Sequence, residues 1–315
     1  MGKNVEEAGM KRVVTGLLAL VCVLACLTGC SGKKKYTFTD DLGRKVTLRQ
    51  PERVAALLGS FAELWYLAGG ELLAASNDAF TDLNLSLGAS HVNLGSTKQL
   101  SYDLLVQIQP DFVIASADSA QHLQWKDALE KADIPVAYFS VSTFEDYLRV
   151  LKICTDITGC KDRYETYGTS QQAAIDAVRS RIPDAQGPRV LVLRASGKHI
   201  RAKESGSTVL GAILEDLGCT NVADAAGVFA DADQVTMDEI VSLDPDFIFV
   251  IPSGDDEAGM QQNLHEKLGS DPRWKELSAV KNDRAHMMEK KLFQFKPNDQ
   301  WAEAYQTVAE YLFAK

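Results

Sequence analysis

Short, uncharged apolar runs alternate with segments of helical period along most of this chain. The runs Val54–Leu58, Leu72–Ala75, Phe112–Ala115, Pro135–Phe139, Val190–Leu193 and Phe247–Ile251 read as strands covered on both faces. Between them, Leu104-Leu105-x-x-Ile108 and Ile240-x-x-Leu243 place apolar residues on one helix face. Pro110 and Pro245 then end those helices, because proline disfavours helical geometry in the residue before it. Strand and helix in alternation predict an α/β fold with helices wrapped around parallel sheets. Ahead of this pattern, Tyr36 to Leu48 holds two β-prone runs around Leu42-Gly43 and reads as a hairpin.

The pattern occurs twice. Arg53-Val54-Ala55-Ala56-Leu57-Leu58-Gly59-Ser60 and Arg189-Val190-Leu191-Val192-Leu193-Arg194-Ala195-Ser196 share Arg, Val, Leu and Ser in register. Val106 to Ile114 and Val241 to Phe249 share Val, Pro, Asp and Phe at nearly the same offset. Two matches in one order indicate a duplicated lobe, each copy with its own parallel sheet. Residues 51–160 form the first lobe and 188–315 the second, with tether and hairpin at 30–50. Residues 161–187 join the lobes. Lys161 to Arg181 is rich in Glu, Gln, Ala and Arg, which predicts one long linking helix ended by Pro183, with Gly168 the point where it would divide into two. A helical link resists large hinge motion, so modest closure is expected.

The N-terminus has a different character. Lys11 and Arg12 precede the charge-free run Val13 to Leu27, and Leu27-Thr28-Gly29-Cys30 ends it. About fifteen apolar residues are short of the roughly twenty that span a membrane. A basic start, a short apolar run and small residues before a cysteine match a bacterial lipoprotein signal over residues 1–29, with Cys30 lipidated after cleavage. The alternative is a stubby membrane anchor. Met10, directly before Lys11, is a second candidate start.

Composition narrows the function. Residues 1–29 hold three basic and two acidic groups, so the remaining 286 residues carry 30 Lys and Arg against 41 Asp and Glu, a net charge of −11. That excess excludes phosphate-neutralising nucleic-acid binding. Beyond the signal remain Cys154, Cys160 and Cys219, without metal-ligand spacing, read as small buried hydrophobes with a disulfide as the alternative. The five histidines are scattered, so neither a bare metal site nor an axial haem ligand is signalled. Gly-x-Ser-x-Gly, HExxH and P-loop motifs are absent, which argues against an enzyme, and no cofactor is implied.

Several motifs together resemble the ABC-importer substrate-binding proteins for iron-siderophores, haem and cobalamin, the class III periplasmic binding proteins. They are Thr39-Asp40-x-x-Gly43-Arg44-x-Val46, Pro51-x-Arg53-Val54, Gly59-Ser60-x-Ala62-Glu63, Pro110-Asp111-Phe112 with its repeat, and Gly206 to Gly218. The resemblance spans residues 36 to 315. It implies two α/β lobes bridged by one long helix, a ligand held between them, and no catalysis. It also implies delivery of a metal chelate (siderophore, haem or cobalamin) to an ABC permease dimer by a lipid-anchored, monomeric protein on the outer face of the bacterial cytoplasmic membrane. An acidic residue on each lobe would dock onto the permease: Asp103, where the family usually has glutamate, and Glu215. An extracytoplasmic enzyme or a sensor lobe acting on such a chelate is the alternative.

Open parallel sheets bind ligands beyond the carboxyl ends of their strands. That rule nominates Ser60, Phe61, Asp78, Phe80 and Ser116 in the first lobe, and Arg194, Lys198, Ser253, Lys290 and Phe293 in the second. Arg194, Lys198, His199, Arg201 and Lys203 concentrate basic groups that suit an anionic chelate, with a merely basic hairpin face as the alternative. Phe61, Phe80 and Phe293 are candidates to pack flat ligand parts.

Overall fold

The structure is a computed structural model, and it describes residues 34–182, 187–229 and 234–313. The predicted signal and the Cys30 lipidation site lie outside the described residues. Strands β1 (Lys35–Thr39) and β2 (Lys45–Arg49) pair antiparallel as the expected hairpin. Its turn is organised by Asp40, whose Oδ1 accepts from the Leu42 and Arg44 amides while Oδ2 accepts from the Arg44 guanidinium and the Tyr138 amide. The hairpin is thereby fastened to the first lobe.

That lobe is built on β3 (Val54–Ala56), β4 (Ala74–Ala75), β5 (Val92–Asn93), β8 (Phe112–Ser116) and β9 (Val136–Phe139). They form one all-parallel sheet in the order β5-β4-β3-β8-β9. The two-residue strands β6 (Gly95–Ser96) and β7 (Gln99–Leu100) make a small separate hairpin. In the second lobe β14 (Ala285–Met287), β13 (Phe247–Pro252) and β10 (Arg189–Ala195) run parallel. The free edge of β10 is shared by β12 (Thr220–Asn221), parallel, and β11 (Ile200–Ala202), antiparallel. Central strands are fully buried, which explains their continuous apolar composition.

The repeat is physical as well as textual. Asp111 accepts from the Arg53 amide at 2.8 Å, and Asp246 accepts from the Arg189 amide at 2.8 Å. Each arginine side chain returns to carbonyls at the end of the helix before the Pro-Asp pair, Ile108 and Gln109 in one lobe and Asp244 in the other. The residues preceding the two prolines, Gln109 and Asp244, both take left-handed backbone, with φ of 47° and 36°. Two distant stretches of chain thus solve helix termination and strand entry in the same way.

The connection between the lobes differs from the expected single rod. It consists of a helix Asp162–Tyr167, a 3-10 turn Thr169–Gln171 and a helix Gln172–Arg179, divided at Gly168. A Cβ at Gly168 would stand 2.5 Å from the Tyr164 carbonyl oxygen and 2.9 Å from Leu148 Cδ2. Close packing on the helix Phe144–Thr158 therefore bends the connector here. Rigidity comes from shared packing: one buried cluster runs from Phe61 and Phe139 through Phe144, Tyr147 and Trp301 to Val192 and Phe249 in the second lobe. Cys154, Cys160 and Cys219 are free thiols, two of them buried.

Candidate functional site

Between the lobes lies a cavity of about 440 Å³. Much of its first-lobe wall is assembled from strand ends, and several side chains there are held by neighbours. Ser60 sits at the start of the helix Gly59–Leu67, directly after β3. A Cβ at Gly59 would lie 2.8 Å from both Ala79 N and Asp78 Cγ, so only glycine lets Asp78 reach this helix end. Asp78 Oδ2 accepts from the Gly59 amide at 3.0 Å, a carboxylate at a helix N-terminus. Burial nonetheless raises the Asp78 pKa above the usual carboxylate range.

Ser116 ends β8, and its hydroxyl accepts from the Asp118 amide at 3.1 Å. The Asp118 carboxylate in turn accepts from the Ser140 hydroxyl at 2.9 Å. Behind this wall His122 is fully buried, and burial holds its pKa down at about 4. The neutral ring uses Nδ1 to accept from the Ser116 amide at 3.0 Å, so this histidine shapes the wall.

The second-lobe wall carries the opposite charge. Arg194, the penultimate residue of β10, lines the cavity, and its side chain makes no hydrogen bond or ion pair with any described residue. Burial lowers its pKa, and Arg201, its cross-strand neighbour on β11, lowers it further. Beside it Gly206, Ser207 and Thr208 lead into the helix Val209–Asp216, whose N-terminus opens at the cavity. Thr208 caps that helix by accepting from the Gly211 amide at 2.9 Å. Phe293, Gln294, Phe295 and Lys296 complete the lining. Lys296 donates from its amide to Ser60 Oγ at 3.2 Å and from its ammonium to the Val141 carbonyl, so this segment ties the lobes together at the cavity. Burial lowers the Lys296 pKa, with Asp118 opposing and Arg194 reinforcing that shift.

Next to it Asn298, fully buried with φ of 53°, forms a joint of three bodies. Its side-chain amide donates to the Ser60 carbonyl at 3.0 Å and to Glu63 Oε2 at 2.6 Å, and its backbone carbonyl accepts from the connector's Gln171 at 3.2 Å.

Five of the ten ligand residues expected from sequence line this cavity: Ser60, Asp78, Ser116, Arg194 and Phe293. The other five do not. Phe61 is 1% exposed and packs edge-on against Phe139, because one helical step beyond Ser60 turns it toward the sheet. Phe80 is half-buried against the first-lobe core. Lys198 is exposed in the β10–β11 turn. Ser253 and Lys290 line a second hollow of about 320 Å³ with Asp255, Asp256 and Met287. Lys290 is committed there to Asp82 at 2.6 Å and Asp255 at 3.2 Å. The basic run therefore divides: only Arg194 of the five faces the cleft.

Sequence reasoning misses Asp118, Ser140, Ser142 and Thr208. The strand-end rule reaches Ser116 but stops two residues short of Asp118, and Ser140 and Ser142 lie where the same rule extends past β9. Thr208 is visible as a helix cap before an apolar run. Lys296 stands in the sequence as one of a second basic cluster with Lys290 and Lys291, and its place at the cavity depends on contact between lobes.

Asp103 is exposed in the first turn of the helix Tyr102–Gln107, and Ser101 is the cap. Glu215 is exposed in the last turn of the helix Val209–Asp216, beside the connector's Arg179. Among the described residues no cluster of three metal-ligating side chains gathers, and no helix is long and apolar enough to cross a membrane.

Comparison with known proteins gives consistent matches. A family described as periplasmic binding protein matches residues 54–292. The Fe(3+)-citrate-binding protein YfmC of Bacillus subtilis is 20% identical over 296 residues, covering 88% of this chain and 90% of its own. Among solved structures, the siderophore-binding protein BauB, bound to ferric iron and two acinetobactin molecules, has a TM-score of 0.70 at 16% identity, covering 90% of this chain and 100% of that one. IsdE of S. aureus, complexed with heme, has a TM-score of 0.67 at 12% identity, covering 83% and 98%.

Proposed function

Because this chain belongs to the periplasmic binding protein family, we propose that it captures a metal chelate in the cleft between its lobes and hands it to an ABC importer. It catalyses nothing. The observation that carries this reading is Arg194, a largely buried guanidinium that faces the cavity and has no side-chain partner among the described residues. Burying such a cation is costly unless a ligand oxygen pairs with it, and its planar fork suits carboxylate or hydroxamate oxygens. Relatives named for ferric citrate, a ferric siderophore and heme support a chelate as cargo. Titration by intrinsic tryptophan fluorescence tests this: Arg194→Gln weakens chelate binding about tenfold, the loss of one charge-assisted hydrogen bond. Unchanged affinity would place the site elsewhere.

The body is monomeric and held at the outer face of the cytoplasmic membrane by lipid on Cys30. Cys30→Ser then releases it to the soluble fraction and ends palmitate incorporation; continued membrane retention would contradict the anchor. For docking, Asp103 and a second-lobe acid meet the permease dimer. Glu215, expected from the resemblance, sits beside the connector. The duplication nominates Asp238 instead, which stands to Pro245 as Asp103 stands to Pro110 and also lies in a first helical turn. A two-fold permease suits equivalent points on two copies of one lobe. Asp103→Arg with Asp238→Arg abolishes uptake and leaves chelate affinity intact, whereas Glu215→Arg leaves both uptake and affinity intact. Loss of uptake in Glu215→Arg alone would return the second docking point to Glu215.

A further inference from the structure

The cleft is charge-balanced, and this bears on which chelate it accepts. Its lining contains two cations, Arg194 and Lys296, and two carboxylates, Asp78 and Asp118. The signs are separated by wall. Arg194 and the N-terminus of the helix Val209–Asp216 belong to the second lobe, while Asp78 and Asp118 belong to the first. Most remaining polar groups are hydroxyls, among them Ser116, Ser119, Ser140, Ser142, Ser207 and Thr208. Apolar surface is confined to a few side chains such as Leu58, Phe293 and Phe295.

We propose that the cleft selects a small hydrophilic chelate of low net charge, whose oxygens face Arg194 and whose hydroxyl or ammonium donors face Asp118. The proposal rests on the cleft being the ligand site and goes on to specify its cargo. A strongly anionic chelate is attracted to Arg194 but meets the Asp118 carboxylate on the facing wall, where like charges repel. A large flat macrocycle meets hydroxyls whose hydration it displaces without replacing, a penalty that apolar packing at Phe293 and Phe295 offsets only in part. Asp118 is the discriminating residue: it is exposed, it lines the cavity, and among the described residues its carboxylate accepts only from the Ser140 hydroxyl. Asp78 is tied to the Gly59 amide and plays a smaller part.

The purified protein and two variants are titrated with three probes: ferrioxamine B, whose hydroxamate complex carries one ammonium; a ferric tris-catecholate of charge −3; and haemin. The wild type binds ferrioxamine B at least about tenfold more tightly than either other probe, the worth of one charge-assisted hydrogen bond set against one repulsion. Asp118→Asn weakens ferrioxamine B and strengthens the tris-catecholate, closing that gap. Arg194→Gln weakens every probe that binds. A wild-type preference for the tris-catecholate or haemin, or an Asp118→Asn variant that treats the probes as the wild type does, overturns the charge-balance proposal. Binding that ignores Arg194→Gln overturns the cleft as the site.

Discussion

Asp40 is 3% exposed and sits between a turn, an arginine and the edge of a lobe. Its two oxygens accept from three backbone amides and the Arg44 guanidinium. Removing the carboxylate leaves the Tyr138 amide without its partner and the Arg44 cation with only a neutral acceptor, the Val136 carbonyl at 2.9 Å. Asp40→Ala costs about 3 kcal/mol in urea unfolding, the usual scale for breaking a buried pair; a loss below about 1 kcal/mol would reduce the hairpin to an ornament. Glu63 behaves differently. Burial raises its pKa, with the Asn298 amide opposing. A carboxyl whose folded pKa lies above its unfolded value costs stability once ionised, and the cost fades as pH falls through the folded value toward the unfolded one. Glu63→Gln therefore matches or exceeds wild-type stability at pH 7 and loses that advantage near pH 4. A variant destabilised equally at both values would mean that the amide cannot replace the carboxylate at the Asn298 joint.

At the scale of elements, the paired Arg and Pro-Asp motifs explain why the repeat is readable. Asp111 holds the Glu52 and Arg53 amides and Asp246 holds the Arg189 amide, each at the entry of a central strand. Asp111→Ala and Asp246→Ala destabilise by similar amounts, about 1–2 kcal/mol each, if the two motifs do the same work; a large disparity between them by thermal unfolding would contradict that equivalence. Strands are legible because burial on both faces forces continuous apolar runs, and helix ends because proline and Ser or Thr caps act locally. The connector is legible only in composition. Gly168 marks in the sequence the point where it could divide, but the close packing at that point involves Leu148 and Leu151 of another helix, which residues 161–181 do not encode. The same limit divides the candidate ligand residues. Ser60 and Ser116 follow from strand ends, whereas the diversion of Lys290 to Asp82 and the arrival of Lys296 at Ser60 are set by how the lobes meet.

For the whole molecule, the arrangement favours small motion. A shared core under the cleft, the Asn298 joint and the Asp82–Lys290 pair across the lobes all resist opening. A ligand shifts such an equilibrium only by binding one state better than the other, and here both walls must touch it for that difference to arise. Hydrogen–deuterium exchange, with and without the tightest-binding chelate of the titration, is the direct test. Capture between the lobes gives ligand-dependent protection in both lobes together, around 116–119 and 140–142 in the first and 206–209 and 293–296 in the second. Protection confined to one lobe, or centred on the hollow around Asp255, would contradict capture between the two.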